Sequence, residues 1–275
     1  MSSMPICDER GYLIVAINNA ETDYVECAEA CAKSIKLHTP SAKIAILGND
    51  QIKSTASDIF DYKIPAPFPL NPDNCYEIDW QIAWASPFRQ TIKIEADMIV
   101  PHSIEHWWTM FEKRDVVLTI GARDYYGNKA ATRHYRQIFD ENELPDVYNA
   151  ITYWRYSKEA MEFFTLVKDL FQNWEEVQPK IKLGLSDSGT TDLVYAIAAK
   201  VYGIEKLTLP NTSYPTLVHM RGRINNLSQE DWTKELTWEL DESRIRINTI
   251  DQKYPFHYIV KSFSKVLNEH YQQFF

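Results

Sequence analysis

The chain has 275 residues, of which 45% are hydrophobic and 24% are charged, with 8 glycines and 13 prolines. This composition is typical of a globular protein and excludes a largely disordered one. The formal net charge of −9 disfavours a general nucleic-acid coat or a polybasic membrane binder, although a local basic patch can still face a polyanion.

The start of the chain predicts a cytoplasmic protein. Asp8, Glu9 and Arg10 precede the first apolar run, which is unlike a secretory signal. No later apolar run reaches the roughly 18 residues that a membrane span needs. We therefore expect no membrane partner. The length allows one large domain or two small ones, and we favour one domain over residues 1–275. The oligomeric state is left open.

The predicted elements begin with a β-α-β unit. Residues 13–17, LIVAI, form a continuous apolar run that predicts a buried central strand. Asp23 predicts the cap of a helix that lasts to about residue 38, and Glu26, three residues on, completes a capping-box pattern. A second strand is predicted at residues 44–47.

The rest of the chain continues with both element types. A helix is expected at residues 76–85, with strands at 91–95 and 116–119, and later helices at 158–174, 191–202 and 258–273. Strands and helices alternate in the first half and mix less regularly afterwards. This order predicts an α/β sheet with embellishments.

Two carboxylates one residue apart end the strand in TIKIEADMIV. Glu95 and Asp97 lie at the carboxyl end of a strand, which is where open α/β sheets bind ligands. On an extended backbone they point the same way and can share Mg²⁺ or Mn²⁺ with the phosphate oxygens of a substrate. The alternative is a solvated strand end. The pair interrupts an apolar run, however, and burying unpartnered charge is costly.

At this point the sequence resembles a family. TIKIEADMIV is similar to the Asp-x-Asp segment of GT-A nucleotide-sugar glycosyltransferases, in particular the glycogenin and lipopolysaccharide-galactosyltransferase group. The resemblance extends in order along most of the chain. It implies a GT-A-like (Rossmann-like) α/β fold with a mixed, mostly parallel sheet flanked by helices, in which residues 1–100 bind the nucleotide and residues 101–275 bind sugar and acceptor.

The opening segment LIVAINNAETDYVE is similar to the first strand, loop and helix of the family. The resemblance implies that these positions contact the nucleotide through Ala16, Asn18 and Tyr24, joined by Glu95 and Ala96 from the acidic segment. Tyr24 could instead fix its helix to the sheet, which is the commoner use of an aromatic residue in a first turn.

Two later segments carry the positions implied for the transferred sugar. VYNAITYWRY is similar to the family's strand with an Asn-Ser/Ala-Gly segment and places Asn149 beside the sugar, although Ile151 stands where the family has glycine. SDSGTTDLVY is similar to the acidic segment that opens the next helix, with Asp187 or Asp192 near the sugar. Asp192 could instead serve only as a helix cap.

LVHMRG is similar to the late His-x-x-Gly segment, which implies that His219 is the third metal ligand beside Glu95 and Asp97. A lone strand histidine is more often simply hydrogen-bonded than metal-bound. His257 competes for the same role but lacks a neighbouring glycine.

The same segment implies that Gly222 allows a close backbone approach to the diphosphate. The family's Lys-Pro-Trp does not follow. We expect Arg221 or Arg223 to replace that lysine, because a guanidinium suits phosphate oxygens.

These segments together predict a metal-dependent glycosyltransferase with a UDP-sugar as donor and Mn²⁺ or Mg²⁺ as cofactor. The resemblance implies retention of anomeric configuration. A nucleotidyltransferase would need a Gly-rich basic loop after the first strand, and residues 18–21, NNAE, are neither. A non-catalytic nucleotide-sugar-binding protein is a further alternative.

The acceptor prediction depends on residues 123–136, RDYYGNKAATRHYR, which interleave four cations with three tyrosines. This mixture suits phosphates and stacked bases. With a loose resemblance to small phage-encoded transferases, it makes 5-hydroxymethylcytosine in phage DNA the leading acceptor, in the host cytoplasm, with arabinose or glucose as the sugar. The alternatives are a solvated loop and helix here, and a protein, glycan or lipid-linked saccharide as acceptor.

Overall fold

A six-stranded sheet lies at the centre of the computed structural model, which describes residues 5–71, 74–130, 136–183, 189–210 and 214–275. The strands are β1 (Asp8–Val15), β2 (Ile44–Gly48), β3 (Tyr62–Pro65), β4 (Phe88–Glu95), β5 (Met98–Ile99), β6 (Val116–Ile120), β7 (Val147–Arg155), β8 (Val218–His219), β9 (Trp238–Asp241), β10 (Arg244–Ile247), β11 (Ile250–Asp251) and β12 (Phe256–His257).

The main sheet has the order β3-β2-β1-β4-β7-β6. The strands β1, β2, β3 and β4 are parallel, while β7 runs antiparallel to both of its neighbours, β4 and β6. Five of the six strands therefore point the same way. The predicted mixed, mostly parallel sheet is confirmed.

Helices cover both faces of this sheet because its central strands are apolar on both sides. In β1, Leu13 and Ile14 are both fully buried, and they belong to two different core clusters on opposite faces. The helices are α1 (Tyr24–His38), α2 (Ile52–Thr55), α3 (Ile78–Ala85), α4 (His106–Phe111), α5 (Gln137–Glu141), α6 (Lys158–Gln172), α7 (Trp174–Val177), α8 (Thr191–Tyr202) and α9 (Phe263–Tyr271). None of these described helices is long and apolar enough to cross a membrane.

Helix α1 begins as predicted at Asp23, whose carboxylate accepts the backbone N–H groups of Val25 (3.0 Å) and Glu26 (3.1 Å). The capping box is only half formed, because the Glu26 carboxylate accepts from Ser264 Oγ on α9 at 3.1 Å. This contact ties the end of the chain to the first helix.

The last helix begins five residues later than predicted, at Phe263 instead of residue 258. Ile259 has φ 61°, a left-handed conformation that is costly for a β-branched residue and incompatible with a continuing helix. The Tyr258 carbonyl accepts from Trp232 Nε1 at 2.6 Å, so it is already used outside any helix. Residues 258–262 therefore form a connection between β12 and α9.

A small sheet of the order β5-β12-β8 lies beside this connection. Its strand β12 is antiparallel to β5 and parallel to β8, with His257 paired to Met98 on one side and to His219 on the other. This register brings residues 97–99, 218–219 and 256–257 together. Strands β9, β10 and β11 form a separate antiparallel sheet.

Candidate donor and metal site

Glu95, Asp97 and His257 come together at the carboxyl edge of the main sheet. Each offers one ligand atom, and these atoms all lie within 4.8 Å of one another. His257 Nε2 lies 2.8 Å from Asp97 Oδ2 and 3.6 Å from Glu95 Oε2. Glu95 is the last residue of β4, Asp97 precedes β5, and pairing of β12 with β5 adds the histidine. Two carboxylates and an imidazole are donors that suit Mn²⁺ or Mg²⁺.

Lys261 is the fourth charged residue of this cluster and was not predicted from the sequence. Its ammonium group donates to Asp97 Oδ2, the oxygen that also contacts His257. The side chain of Lys261 is 32% exposed and that of Asp97 only 6%. The ammonium nitrogen also lies 5.4 Å from the centre of the Tyr24 ring. Lys261 therefore lies between the buried carboxylate and the tyrosine predicted to contact the nucleotide.

The charges of the cluster depend on one another. Burial alone would raise the pKa of Asp97, but His257 and Lys261 outweigh it and hold that pKa well below its ordinary value. Burial raises the pKa of Glu95, against the opposing effect of Lys93 and His257. Burial would lower the pKa of His257, yet the Asp97 carboxylate raises it above the ordinary value. Asp97 is the firmly ionised group of the three.

A fully buried lysine lies on the core side of the acidic pair. Lys93 is 1% exposed, and its ammonium lies 2.8 Å from the Asn149 carbonyl oxygen, 3.1 Å from Asp79 Oδ1 and 3.7 Å from Glu95 Oε1. Asp79, on α3, also accepts from Thr191 Oγ1 at 3.0 Å. The local signal for this network is a lysine inside an apolar strand, TIKIE, because such a charge needs a buried partner.

His219, the metal ligand predicted from the sequence, lies one strand further out on β8. Its ring centre is 4.7 Å from that of His257, and its Nδ1 accepts from the Arg221 N–H at 3.2 Å. Burial, with His257 and Arg221 nearby, lowers the pKa of His219 well below its ordinary value. The neutral His219 is thus a neighbour of the three-residue cluster, and its predicted ligation stays a prediction.

The residues predicted to face the sugar lie in a second polar group. Asp192 is in the first turn of α8, where Thr190 is the N-cap, and its carboxylate accepts from the Asn149 N–H at 2.8 Å and from Arg136 at 3.0 Å. Asn149 is fully buried, and its side-chain oxygen accepts from Thr152 Oγ1 at 2.6 Å. Asp192, with a side chain 34% exposed, is the more accessible of the two. Asp187 lies outside the described residues.

Asn18 and Tyr24, predicted to contact the nucleotide, lie near the start of α1: Asn18 precedes the helix and Tyr24 is its first residue. The Asn18 amide bonds to Asp23 and Val25, so this side chain stabilises the helix start. Tyr24 is partly buried and packs against the main core. The two predicted alanine positions, Ala16 and Ala96, are buried at 2% and 3% exposure. Their contact with a nucleotide stays a prediction.

The segment around Gly222 has an internal reason for its glycine. A Cβ atom there would lie 2.5 Å from the Gln229 carbonyl oxygen, so the approach of the chain itself already requires glycine, and a close approach to the diphosphate stays a prediction. Arg221 is partly buried beside His219, and Arg223 is exposed. The Lys261 ammonium donates to Asp97, and the roles predicted for Arg221 and Arg223 stay predictions.

The basic segment differs from the surface expected for DNA. Arg136 is 3% exposed, lies 3.8 Å and 4.0 Å from the ring centres of Phe139 and Tyr148, and pairs with Asp146 and Asp192 at 2.7 and 3.0 Å. The Arg123 guanidinium donates to Thr216 Oγ1 and to the Gly127 carbonyl oxygen. Residues 131–135 lie outside the described part. The prediction of a DNA interface thus loses two of its four cations to internal contacts.

The mixed, mostly parallel sheet flanked by helices matches the fold of GT-A glycosyltransferase structures. The glycosyltransferase GlyE of Streptococcus pneumoniae TIGR4 is similar with a TM-score of 0.55 and 12% identity, over 96% of this chain and 61% of that one. The galactosyltransferase LgtC, in complex with donor and acceptor sugar analogues, gives a TM-score of 0.53 and 11% identity, over 97% and 96%. The bifunctional glycosyltransferase WbbM gives 0.52 and 12%, over 98% and 50%.

No protein-family profile and no curated protein sequence matches this chain. At identities near 12% the structural similarity shows the fold alone. None of the three structures is described as a DNA-modifying enzyme, so they give no support to phage DNA as acceptor.

Proposed function

We propose that this protein is a metal-dependent glycosyltransferase that moves a sugar from a nucleotide diphosphate sugar, UDP-linked in our prediction, to an acceptor hydroxyl. One observation carries the proposal: Glu95, Asp97 and His257 cluster at the carboxyl edge of a GT-A sheet, within 4.8 Å of one another. Open α/β sheets bind ligands at this edge. The donor set also suits a cation that binds phosphate oxygens.

Asp97 and His257 would hold Mn²⁺ or Mg²⁺, with Glu95 as a third ligand or as a contact to the ribose. The bound cation would neutralise the charge that develops on the leaving diphosphate. Lys261 supplies a second, partly exposed positive charge next to Asp97, suited to the same phosphates. Arg221 and Arg223 stay predictions for that role.

The sugar would lie between the acidic cluster and Asp192, the partly exposed carboxylate of the second polar group. Asp192 can accept from a sugar or acceptor hydroxyl, while Asn149 fixes its orientation through the 2.8 Å backbone bond. Asp187 stays a prediction for a contact to the sugar, and His219 stays one for the third metal ligand. An oxocarbenium-like transition state makes stabilisation of the leaving group the main task of these residues. Retention of configuration is implied by the resemblance alone.

We propose a saccharide hydroxyl as the acceptor, on a glycan, a glycoprotein or a lipid-linked saccharide. LgtC is described in complex with an acceptor sugar analogue, and the basic segment uses Arg123 and Arg136 internally. Residues 1–100 would bind the nucleotide and residues 101–275 the sugar and acceptor. A DNA acceptor predicts binding that weakens steeply with salt, which a titration with duplex DNA checks directly.

The first test is a thermal-shift screen of nucleotide sugars with and without Mn²⁺, since a ligand that binds only the native state raises its melting temperature. The second is UDP release from the best donor. The variant Asp97→Asn should abolish Mn²⁺-dependent release, and Asp58→Asn, whose side chain is fully exposed, should not. The absence of any stabilising nucleotide sugar contradicts the proposal.

The two alternative classes give different results in the same assays. A non-catalytic binding protein shows the Mn²⁺-dependent thermal shift but releases no UDP with any saccharide acceptor. A nucleotidyltransferase releases pyrophosphate from a nucleoside triphosphate, which a glycosyltransferase leaves intact.

A further inference from the structure

Asp97 Oδ2 is contacted by two side chains, an imidazole and an ammonium. His257 Nε2 lies 2.8 Å from it, and the Lys261 ammonium donates to the same oxygen. A divalent cation bound by Asp97 and His257 would lie close to that ammonium. Two like charges at such a distance repel strongly inside a protein. The ammonium of Lys261 and a bound divalent cation therefore exclude each other at this oxygen.

Lys261 is able to leave Asp97 without any movement of the backbone. Its carbonyl oxygen accepts from Ser264 Oγ at 2.8 Å, and the preceding connection is fixed by the Trp232 bond to Tyr258. The side chain, by contrast, is 32% exposed and has four flexible methylene groups. Its ammonium already lies 5.4 Å from the centre of the partly buried Tyr24 ring.

We propose that Lys261 is an exchangeable counter-ion that competes with the divalent cation for Asp97 and transfers to the substrate diphosphate when both ligands bind. This inference rests on the proposed function. It means that the cation and the nucleotide strengthen each other's binding through Lys261, in addition to any direct contact between them. The cation alone must displace a lysine that gains no new partner. With the diphosphate present, the displaced ammonium finds an anion, and this gain is a coupling free energy between the two ligands.

The test compares Mn²⁺ and UDP affinities by isothermal titration calorimetry. Lys261→Met should bind Mn²⁺ alone at least about tenfold more tightly than the unmodified protein. At saturating Mn²⁺ it should bind UDP at least about tenfold more weakly. Lys265→Met, the same charge change at an exposed position on α9, should match the unmodified protein in both titrations. A purely structural role of Lys261 predicts that both affinities fall together.

An unchanged or weaker Mn²⁺ affinity of Lys261→Met overturns the inference. Lys261→Gln, which keeps a polar side chain, repeats the comparison if the methionine variant melts early. Failure of the proposed function is distinct, because then the unmodified protein binds no UDP at saturating Mn²⁺.

A second measurement needs no variant. Acylation of lysines, read by mass spectrometry, should label Lys261 at least about twofold faster with Mn²⁺ alone, because the freed amine loses the ion pair that protects it. Labelling should slow again when UDP is added with Mn²⁺, while that of Lys265 stays constant. A labelling rate of Lys261 that Mn²⁺ leaves unchanged contradicts the competition.

Discussion

Replacing Lys93 by methionine removes the buried positive charge beneath the acidic pair. Lys93 is 1% exposed and contacts Asp79 Oδ1 at 3.1 Å and the Asn149 carbonyl oxygen at 2.8 Å. The Asp79 side chain, only 10% exposed, would lose that partner. Breaking a buried pair on one side costs about 3–5 kcal/mol. For a chain of this size, about 2 °C per kcal/mol predicts a melting temperature lower by about 6–10 °C.

Differential scanning calorimetry in EDTA measures this loss, and Lys53→Met, at an exposed position, is the matched control. The double variant Lys93→Met/Asp79→Leu removes both charges and leaves Thr191 Oγ1 without its acceptor. It should therefore lose about 2 kcal/mol less than the sum of the two single losses. Additive single losses would refute the reasoning, since Lys93 would then not compensate Asp79.

Three further predictions concern single side chains. His257→Gln should weaken Mn²⁺ binding at least about tenfold and His219→Gln much less, measured by titration calorimetry; the reverse order would restore His219 as the ligand. The pKa of His257 is raised and that of Asp97 is lowered, so the pair contributes its full stabilisation between about pH 4 and about pH 6.5. This stabilisation is lost as the pH rises through the raised pKa of His257. The decrease in melting temperature caused by His257→Gln in EDTA should therefore become smaller towards pH 9. Arg136→Met should destabilise by about 2–3 kcal/mol in urea unfolding, because the buried guanidinium no longer bonds to the partly exposed carboxylates of Asp146 and Asp192; a loss below about 1 kcal/mol would contradict this contribution.

The sheet and its acidic pair could be predicted because their signals are local. The apolar runs of β1 and β2 and the capping residue Asp23 lie within a few positions of the elements they define. Glu95 and Asp97 interrupt such a run at its end. Each of these inferences needs only one stretch of about ten residues.

The histidine partner of this pair could not be chosen in the same way. His219 and His257 each end a strand of two residues, too short for any periodicity to show. The choice depends on β12 lying between β5 and β8, a pairing between segments about 160 positions apart. The contact of Lys261 with Asp97 could not be predicted for a related reason. The apolar pattern places Lys261 inside a helix, but the left-handed conformation of Ile259 delays the start of that helix to Phe263.

The DNA prediction shows the opposite limitation, in which a local pattern is overruled by distant partners. Residues 123–136 are basic and aromatic in sequence, but Arg136 is neutralised by Asp192, 56 positions away, and enclosed by two aromatic rings. A cation that is 3% exposed cannot reach a phosphate. The local sequence shows how many charged residues a segment has, but not which of them form ion pairs with distant residues in the fold.

The two lysines of the site differ in solvent exposure, which decides whether each ammonium can leave its carboxylate. Lys93 and Lys261 both lie next to a carboxylate of the acidic pair, but Lys93 is 1% exposed and Lys261 is 32% exposed at the side chain. A buried ammonium that leaves its partners must lose them without compensation from water, so Lys93 stays in place whatever binds above it. Lys261 can exchange its carboxylate for phosphate, because water solvates its partly exposed ammonium between the two partners. The same pair of acids thus has a permanent positive charge on its core side and a replaceable one on its solvent side, where a diphosphate would arrive.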